Sequence, residues 1–262
     1  MKINNILAVS DPSRYTVYEM LDYAKTGPNW QLIQKQTTHL LLCKSEPFTD
    51  DLYNYAHVLG EEFDAGDVTD IKNFFGTANF RITITESKKL QDSLAAHGFK
   101  FKDDGYVMTL PNLAVRDYNY SLPDNVKILA VDNEDILKAV KMIFAEAFNH
   151  TVAEYDSKFG FLDKIILDNN NKNVKAFVLY ENDIPVSTGT YYAFSNFSIE
   201  NIGTLKIARD RGYANLIVRT LLQAAQKLNY SGACLVASEA GSHVYKKLGF
   251  EVLSKANTYI KI

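Results

Sequence analysis

The sequence predicts an α/β (α+β) protein built on a mixed, largely antiparallel sheet flanked by helices, with a complete copy in the C-terminal half and a degenerate copy before it. Three observations carry this. From residue 126 onward the apolar pattern switches between strand and helix periods in the order β-α-α-β-β-β-α-β-α-β-β. A polar stretch bracketed by Pro111 and Pro123 divides the chain and reads as a linker. And Ile82 to Phe99 aligns without a gap on Ala233 to Phe250, 151 residues later, pairing Ser87 with Ser238, Gly98 with Gly249 and Phe99 with Phe250.

In the second half, Val126 to Val131 reads as a strand. Ile136, Ala139, Val140, Ile143, Phe144, Ala147 and Phe148 then fall on one face of an amphipathic helix. A weaker helix covers Tyr155 to Leu167, and Asn169 to Asn173 reads as a turn. Strands at Val174 to Tyr180, Pro185 to Phe194 and Phe197 to Leu205 form an antiparallel meander, the first two joined by Glu181-Asn182-Asp183. A helix from about Gly212 to Leu228 lines up Ile217, Leu221, Ala224 and Leu228, and a buried strand follows at Ala233 to Ala237. The last helix stops at Leu248-Gly249, and strands at Phe250 to Leu253 and Asn257 to Ile260 close the chain.

The linker suggests domains at 1–121 and 122–262. In the repeat, both aligned segments read strand, Ser, helix, Gly-Phe, strand; the competing explanation is chance likeness of two such units. The first half contains no Arg-x-x-Gly-x-Ala, and Leu94 stands where Tyr245 stands in the second. As a copy, it has lost the chemistry.

Composition narrows the function. Of 262 residues 47% are hydrophobic and 12% aromatic, ample for a packed core, and 28 Lys+Arg against 31 Asp+Glu leave a net charge of -3. That balance gives no electrostatic reason to bind nucleic acid or an anionic membrane. Cys43 and Cys234 each sit in an apolar run, where a small buried hydrophobe is the plain reading. The start, Met1-Lys2 with a short apolar stretch at Ile6 to Val9, is no secretory signal, and no apolar run approaches the roughly 20 residues of a bilayer span. A cytoplasmic protein without membrane partners is expected.

The segment richest in chemistry is Arg209-Asp210-Arg211-Gly212-Tyr213-Ala214, after a predicted strand and at the start of a predicted helix. Unpaired N–H groups at a helix start, with the positive end of the helix dipole, bind anions, and small residues at Gly212 and Ala214 admit an anion close to the backbone. A pyrophosphate suits such a place. Neither the nucleoside-triphosphatase loop nor the dinucleotide G-x-G-x-x-G is present.

These residues resemble the [Arg/Gln]-x-x-Gly-x-[Gly/Ala] signature of the GNAT superfamily of acyl-CoA N-acyltransferases. Ile202-Gly203-Thr204-Leu205 is similar to its fourth strand, and Val244 to Phe250 to its Leu-Tyr-x-x-x-Gly-Phe motif. The likeness covers roughly Lys127 to Ile262 and departs at Lys206, where proline is frequent, at Ser238, where many members have asparagine, and at Gly241, where alanine is common.

The resemblance implies acetyl-CoA as cosubstrate. The backbone of Ile202, Gly203 and Thr204 would hold the pantetheine arm and thioester carbonyl, and the amides of Arg209, Asp210, Arg211, Gly212, Tyr213 and Ala214 the pyrophosphate. Ser238 keeps one hydrogen bond for the cofactor arm. Tyr245 becomes the acid for the departing thiolate; the alternative is a ring that only packs. For the base, Glu200 acting through a water is the first candidate and Glu239 a lesser one, each weighed against being a surface carboxylate. His243 falls on a different helical face from Tyr245, and His150 borders an acceptor pocket by position alone.

No H-E-x-x-H, His–Cys metal spacing or G-x-S-x-G elbow is present, so no metal and no serine nucleophile is expected. The resemblance implies direct attack in a ternary complex, which suits a site without an evident nucleophile. The acceptor is a small-molecule or peptide amine, the protein a monomer or homodimer, and the N-terminal copy would wall the acceptor cleft. Two other readings compete: a non-catalytic CoA-binding or regulatory protein whose N-terminal half binds a partner, and transfer of an aminoacyl or longer acyl group.

Overall fold

The computed structural model describes residues 11–24, 31–46 and 51–261. The stretch at Ile6 to Val9 lies outside them. The first half runs α1 (Pro12–Tyr23), β1 (Gln31–Gln36), β2 (Leu40–Glu46), β3 (Tyr55–Val58), α2 (Ala65–Phe75), β4 (Arg81–Thr85), α3 (Lys88–Ala96) and β5 (Phe99–Leu110). The second runs β6 (Val126–Ala130), α4 (Glu134–Ala147), α5 (Val152–Phe159), α6 (Asp163–Leu167), β7 (Val174–Glu181), β8 (Ile184–Ala193), β9 (Phe197–Thr204), α7 (Tyr213–Lys227), β10 (Ala233–Ala237), α8 (Glu239–Lys247) and β11 (Glu251–Lys261).

Local chemistry explains most boundaries. Asp11 accepts the Arg14 N–H and caps α1, with Pro12 placed where a missing N–H costs nothing. Asn133 caps α4, and Thr151 with Glu154 forms a capping box for α5. The apolar face predicted for α4 is buried at Ala139, Val140, Ile143 and Phe144 but emerges at its end, where Phe148 is 41% exposed.

Three expectations change. The helix expected over Tyr155 to Leu167 is two helices, α5 and α6, separated by a tight 3₁₀ turn at Gly160–Leu162, where glycine weakens the helix. The two closing strands are one, β11: Ser254 to Ala256, between the two expected strands, is paired with β5, and the break in pattern is a bulge between Val252 and Ser254. The linker is laid down on α7: Leu113 and Tyr118 are buried, and their carbonyls accept from Gln226 Nε2 (3.0 Å) and Gln223 Nε2 (3.3 Å).

All eleven strands form one sheet in the order β1-β2-β3-β4-β11-β5-β10-β9-β8-β7-β6. Each half lodges its last strand in the other, β11 between β4 and β5, and β5 between β11 and β10. In an antiparallel pair about a local two-fold axis, the residue on the axis faces its own counterpart. Gly105 faces Ala256, 151 residues later, so the strand register returns the offset of the sequence repeat.

Matching parts occupy matching places. Helix α2 connects the parallel pair β3/β4 as α7 connects the parallel pair β9/β10. Ser87 and Ser238 cap α3 and α8, and Gly98 and Gly249 follow those helices with φ of 82° and 99°, which side chains other than glycine rarely adopt. The fold is therefore a tandem, largely antiparallel α/β arrangement. Helix α1 joins the halves: Tyr18, Met20 and Leu21 share one core with Leu41 and Cys43 of β2 and with Ile143, Phe144 and Tyr192 of the second half. Among the described residues no helix is long and apolar enough to cross a membrane.

Candidate active site

After β9 the chain makes a 3₁₀ turn at Lys206–Ala208 and then takes two left-handed residues, Asp210 (φ 62°) and Gly212 (φ 83°). No side chain caps α7. Its first hydrogen bond runs from Leu216 N to Gly212 O (3.2 Å), and the amides of Tyr213, Ala214 and Asn215 have no partner among the described residues. Residues Arg209 to Leu216 line a groove of about 780 Å³ whose far wall includes Gly241, Val244 and Lys247 of α8. Unsatisfied donors at the start of a 15-residue helix, beside a groove of that size, can hold an anion and the molecule that carries it.

The first half handles the same position differently. There Asp64 caps α2, accepting from the amides of Gly66 (2.7 Å) and Asp67 (3.1 Å), and the Asp67 carboxylate accepts in turn from the Asp64 amide. A fixed carboxylate already occupies the amides that a phosphate would need.

The loop is braced by its own side chains. Arg209 lines the groove and donates to Thr204 O (3.3 Å) and Ala147 O (3.4 Å), tying the loop to the ends of β9 and α4. Arg211 is paired with Glu181 and lies 5.1 Å above the Tyr213 ring, so part of its charge is already engaged. Lys206 uses its N–H to bond Glu146 Oε1 (3.0 Å), a bond that a proline at this position would lack.

β9 and β10 supply the second part of the site. They pair through a single bridge, Cys234 with Ser198, so from Ile199 onward the edge of β9 toward β10 has no strand partner. On its other edge the register with β8 slips between Thr188 and Thr190, opposite a stretch where Asn201 has φ 54°. Of the expected backbone trio, Thr204 lines the groove, whereas Ile202 and Gly203 lie along the unpaired edge beyond it. Gly203 is pressed against α4: a Cβ there would sit 3.1 Å from that of Ala147.

Ser238 turns elsewhere. Its hydroxyl accepts from Gly241 N (3.2 Å) and caps α8, and it is not among the groove's lining residues. Replacing Ser238 by alanine should cost about 1 kcal/mol of stability in denaturant unfolding. Acetyl-CoA affinity should be unchanged; a parallel loss would return the hydroxyl to the cofactor.

Glu200 lies near enough to Tyr245 for its charge to act on the phenol, although 45 residues separate them in sequence. Tyr245 is buried, its ring 6.0 Å from that of Phe250. Burial pushes its phenol above its ordinary pKa, and the charge of Glu200 adds to the shift. Glu200 is part-buried and accepts from the hydroxyls of Ser13 (2.8 Å) and Ser198. Burial raises its carboxyl pKa, opposed by those two bonds and by the Arg14 charge. A carboxylate held above its ordinary range suits a base better than a solvated one would.

The lesser candidates stand apart. Glu239 and His243 are exposed on α8. His150 stacks on Phe144 at 5.9 Å and 9°, and its Nδ1 is 3.7 Å from Glu154. Cys43 and Cys234 are buried free thiols.

Sequence reasoning missed Ser13, Arg14 and Ser198. The first two belong to α1, so the first half shapes the surroundings of Glu200. Only the repeat hinted at this, by implying that the halves pack together; nothing in the spelling of α1 points to a residue on β9.

No family model matches the chain, and no curated protein matches it in sequence. Solved structures do. A GCN5-related N-acetyltransferase from Kribbella flavida is 16% identical, with a TM-score of 0.69 over 97% of this chain and 95% of that one. One from Sphaerobacter thermophilus is 14% identical, with a TM-score of 0.57 over 98% and 90%. A tandem GNAT protein from the clavulanic acid biosynthesis pathway is 11% identical, with a TM-score of 0.56 over 97% and 95%. At these identities the likeness is one of fold.

Proposed function

We propose, from the premise that this chain has the fold of the GCN5-related N-acetyltransferases in tandem, that it moves an acetyl group from acetyl-CoA to a primary amine by direct attack in a ternary complex. The observation that carries the reading is the row of unpartnered amides from Tyr213 to Asn215, opening on a groove that continues toward the unpaired edge of β9. A diphosphate on the amides, with the Lys247 and Arg209 charges nearby, leaves the pantetheine arm to run along that edge as an added strand would.

Acetyl transfer needs a neutral amine, a stabilised carbonyl oxygen and a partner for the departing sulfur. Glu200 takes the amine proton, directly or through a water. Unpaired β9 amides stand in reach of the developing oxyanion. Tyr245 addresses the sulfur. From sequence alone its phenol has a reference pKa near 10 and would hand its proton to a thiolate near 8.5. With the phenol pushed higher by burial, full transfer is less favourable, and a hydrogen bond from the phenol to the leaving sulfur is the main contribution.

Two measurements test this. Calorimetry with acetyl-CoA reports the groove, and thiol release across a panel of amines reports the chemistry. Tyr245→Phe should lower kcat on the order of a hundredfold while acetyl-CoA affinity is retained. An unchanged kcat removes Tyr245 from the mechanism. Binding without turnover on any amine favours the non-catalytic CoA-binding alternative.

A further inference from the structure

Arg14 on α1 stands between the two halves, part-buried, its guanidinium carbon 4.0 Å from the centre of the Tyr55 ring on β3. Among the described residues the guanidinium makes no hydrogen bond and closes no ion pair. Asp11 accepts instead from the Arg14 main chain (2.9 Å), and Glu200 from Ser13 and Ser198. The charges of Asp11 and Glu200 act on Arg14, so both carboxylates lie near it without being bound to it. A guanidinium offers five N–H donors in a rigid fork, cannot give up its proton at neutral pH, and matches a carboxylate with two parallel bonds. Held by ring stacking alone, this one keeps its fork unspent.

A cavity of about 270 Å³ is lined by Asp11, His57 and Thr83 among others, and the Arg14 charge acts on the first two from outside its wall. It falls below the roughly 300–1,000 Å³ of drug-sized ligand sites, a size for a small molecule rather than a peptide segment. Its wall has hydrogen-bonding capacity that the protein leaves unused. Among the described residues the Thr83 hydroxyl is buried without a partner. His57 is buried with Nε2 3.3 Å from the Tyr18 hydroxyl; burial first, then the Arg14 charge, lowers its pKa to about 3 and keeps the ring neutral. Burial raises the Asp11 carboxyl pKa, opposed by the Arg14 charge and by the bond from the Arg14 amide. The first turn of α1 connects this cavity to the base: Asp11 lines the cavity and Ser13 bonds Glu200.

We propose that the acceptor is an amine bearing a carboxylate, an amino acid or a close relative of one, whose carboxylate is gripped by Arg14 while its amine lies at Glu200. This rests on the acetyltransferase reading above and gives the first half a role in it: having lost its own phosphate-binding helix start, it supplies the cation that recognises the acceptor.

The test compares the common amino acids with their carboxamides as acceptors, using acetyl-CoA and the full chain. At least one amino acid should be acetylated with kcat/KM about tenfold or more above its carboxamide, the size expected of a charge-assisted pair. Arg14→Gln should bring the acid down to the rate of the amide, and Arg14→Lys, with charge but no fork, should fall between. Acetyl-CoA calorimetry on each variant checks that it is folded. Equal rates for acid and amide, or a preference that survives Arg14→Gln, overturn the proposal and leave the acetyltransferase reading standing. Failure of the wild type to bind acetyl-CoA overturns both. If no amine turns over, the same pairs are scored by the thermal midpoint of the acetyl-CoA complex: a rise with acids alone, lost in Arg14→Gln, supports the proposal, and no such rise overturns it.

Discussion

Replacing Gly212 by aspartate should weaken acetyl-CoA binding on the order of a hundredfold or more, the largest binding effect expected of any single change in this chain. The first half makes the same experiment: Asp64 sits at the equivalent helix start and fills the amides of α2. At Gly212 the backbone is left-handed, φ 83°, which aspartate tolerates better than most side chains, and Asp210 holds a similar φ in the same loop. A Cβ at Gly212 would meet nothing within 4 Å, so the carboxylate has room. It would then stand against a doubly charged diphosphate at a partly screened distance, where repulsion of about 3 kcal/mol is reasonable. Calorimetry measures the loss, and raising the salt should recover part of it. Unchanged affinity would mean that the diphosphate lies elsewhere, and the functional reading would go with it.

The second large effect is on rate. Glu200→Gln should lower kcat by roughly 10²- to 10⁴-fold, the range for removing a general base. The amide can still accept from Ser13 and Ser198, so the local packing is kept. The pH dependence gives a separate check. Burial raises the Glu200 pKa, so wild-type kcat/KM should climb with a midpoint above the ordinary carboxylate range, and that limb should vanish in the variant. Stability should move oppositely. A carboxyl whose folded pKa is raised contributes most below its unfolded value, and that contribution is lost as pH rises through the folded value. Thermal midpoints of the wild type should therefore decline across that window relative to Glu200→Gln, which carries no such charge. A variant as active as the wild type, with the same limb, would assign the base elsewhere.

Local and periodic features were legible in the sequence. The helix and strand periods placed α4, α7 and the meander of β7, β8 and β9, because burial of one face imposes a repeat along the chain. The loop from Arg209 to Ala214 was legible because an anion site at a helix start needs small residues at fixed positions. Even the tandem was legible, since a copied unit keeps its caps: Ser87 and Ser238, Gly98 and Gly249. Other features depend on contacts between distant residues. Ser238 had a cofactor role by its place in the motif, and the fold turned its hydroxyl onto its own helix. β11 looked broken until β5 lay beside it. Ser13 meets Ser198 across 185 residues, and both hydroxyls, with the Arg14 charge, oppose the effect of burial on Glu200. The chain alone thus determined which elements form and where an anion can be held, because those depend on neighbours in sequence. Tertiary structure decided which groups surround Glu200 and Tyr245, because burial and charge are summed over whatever the fold brings near.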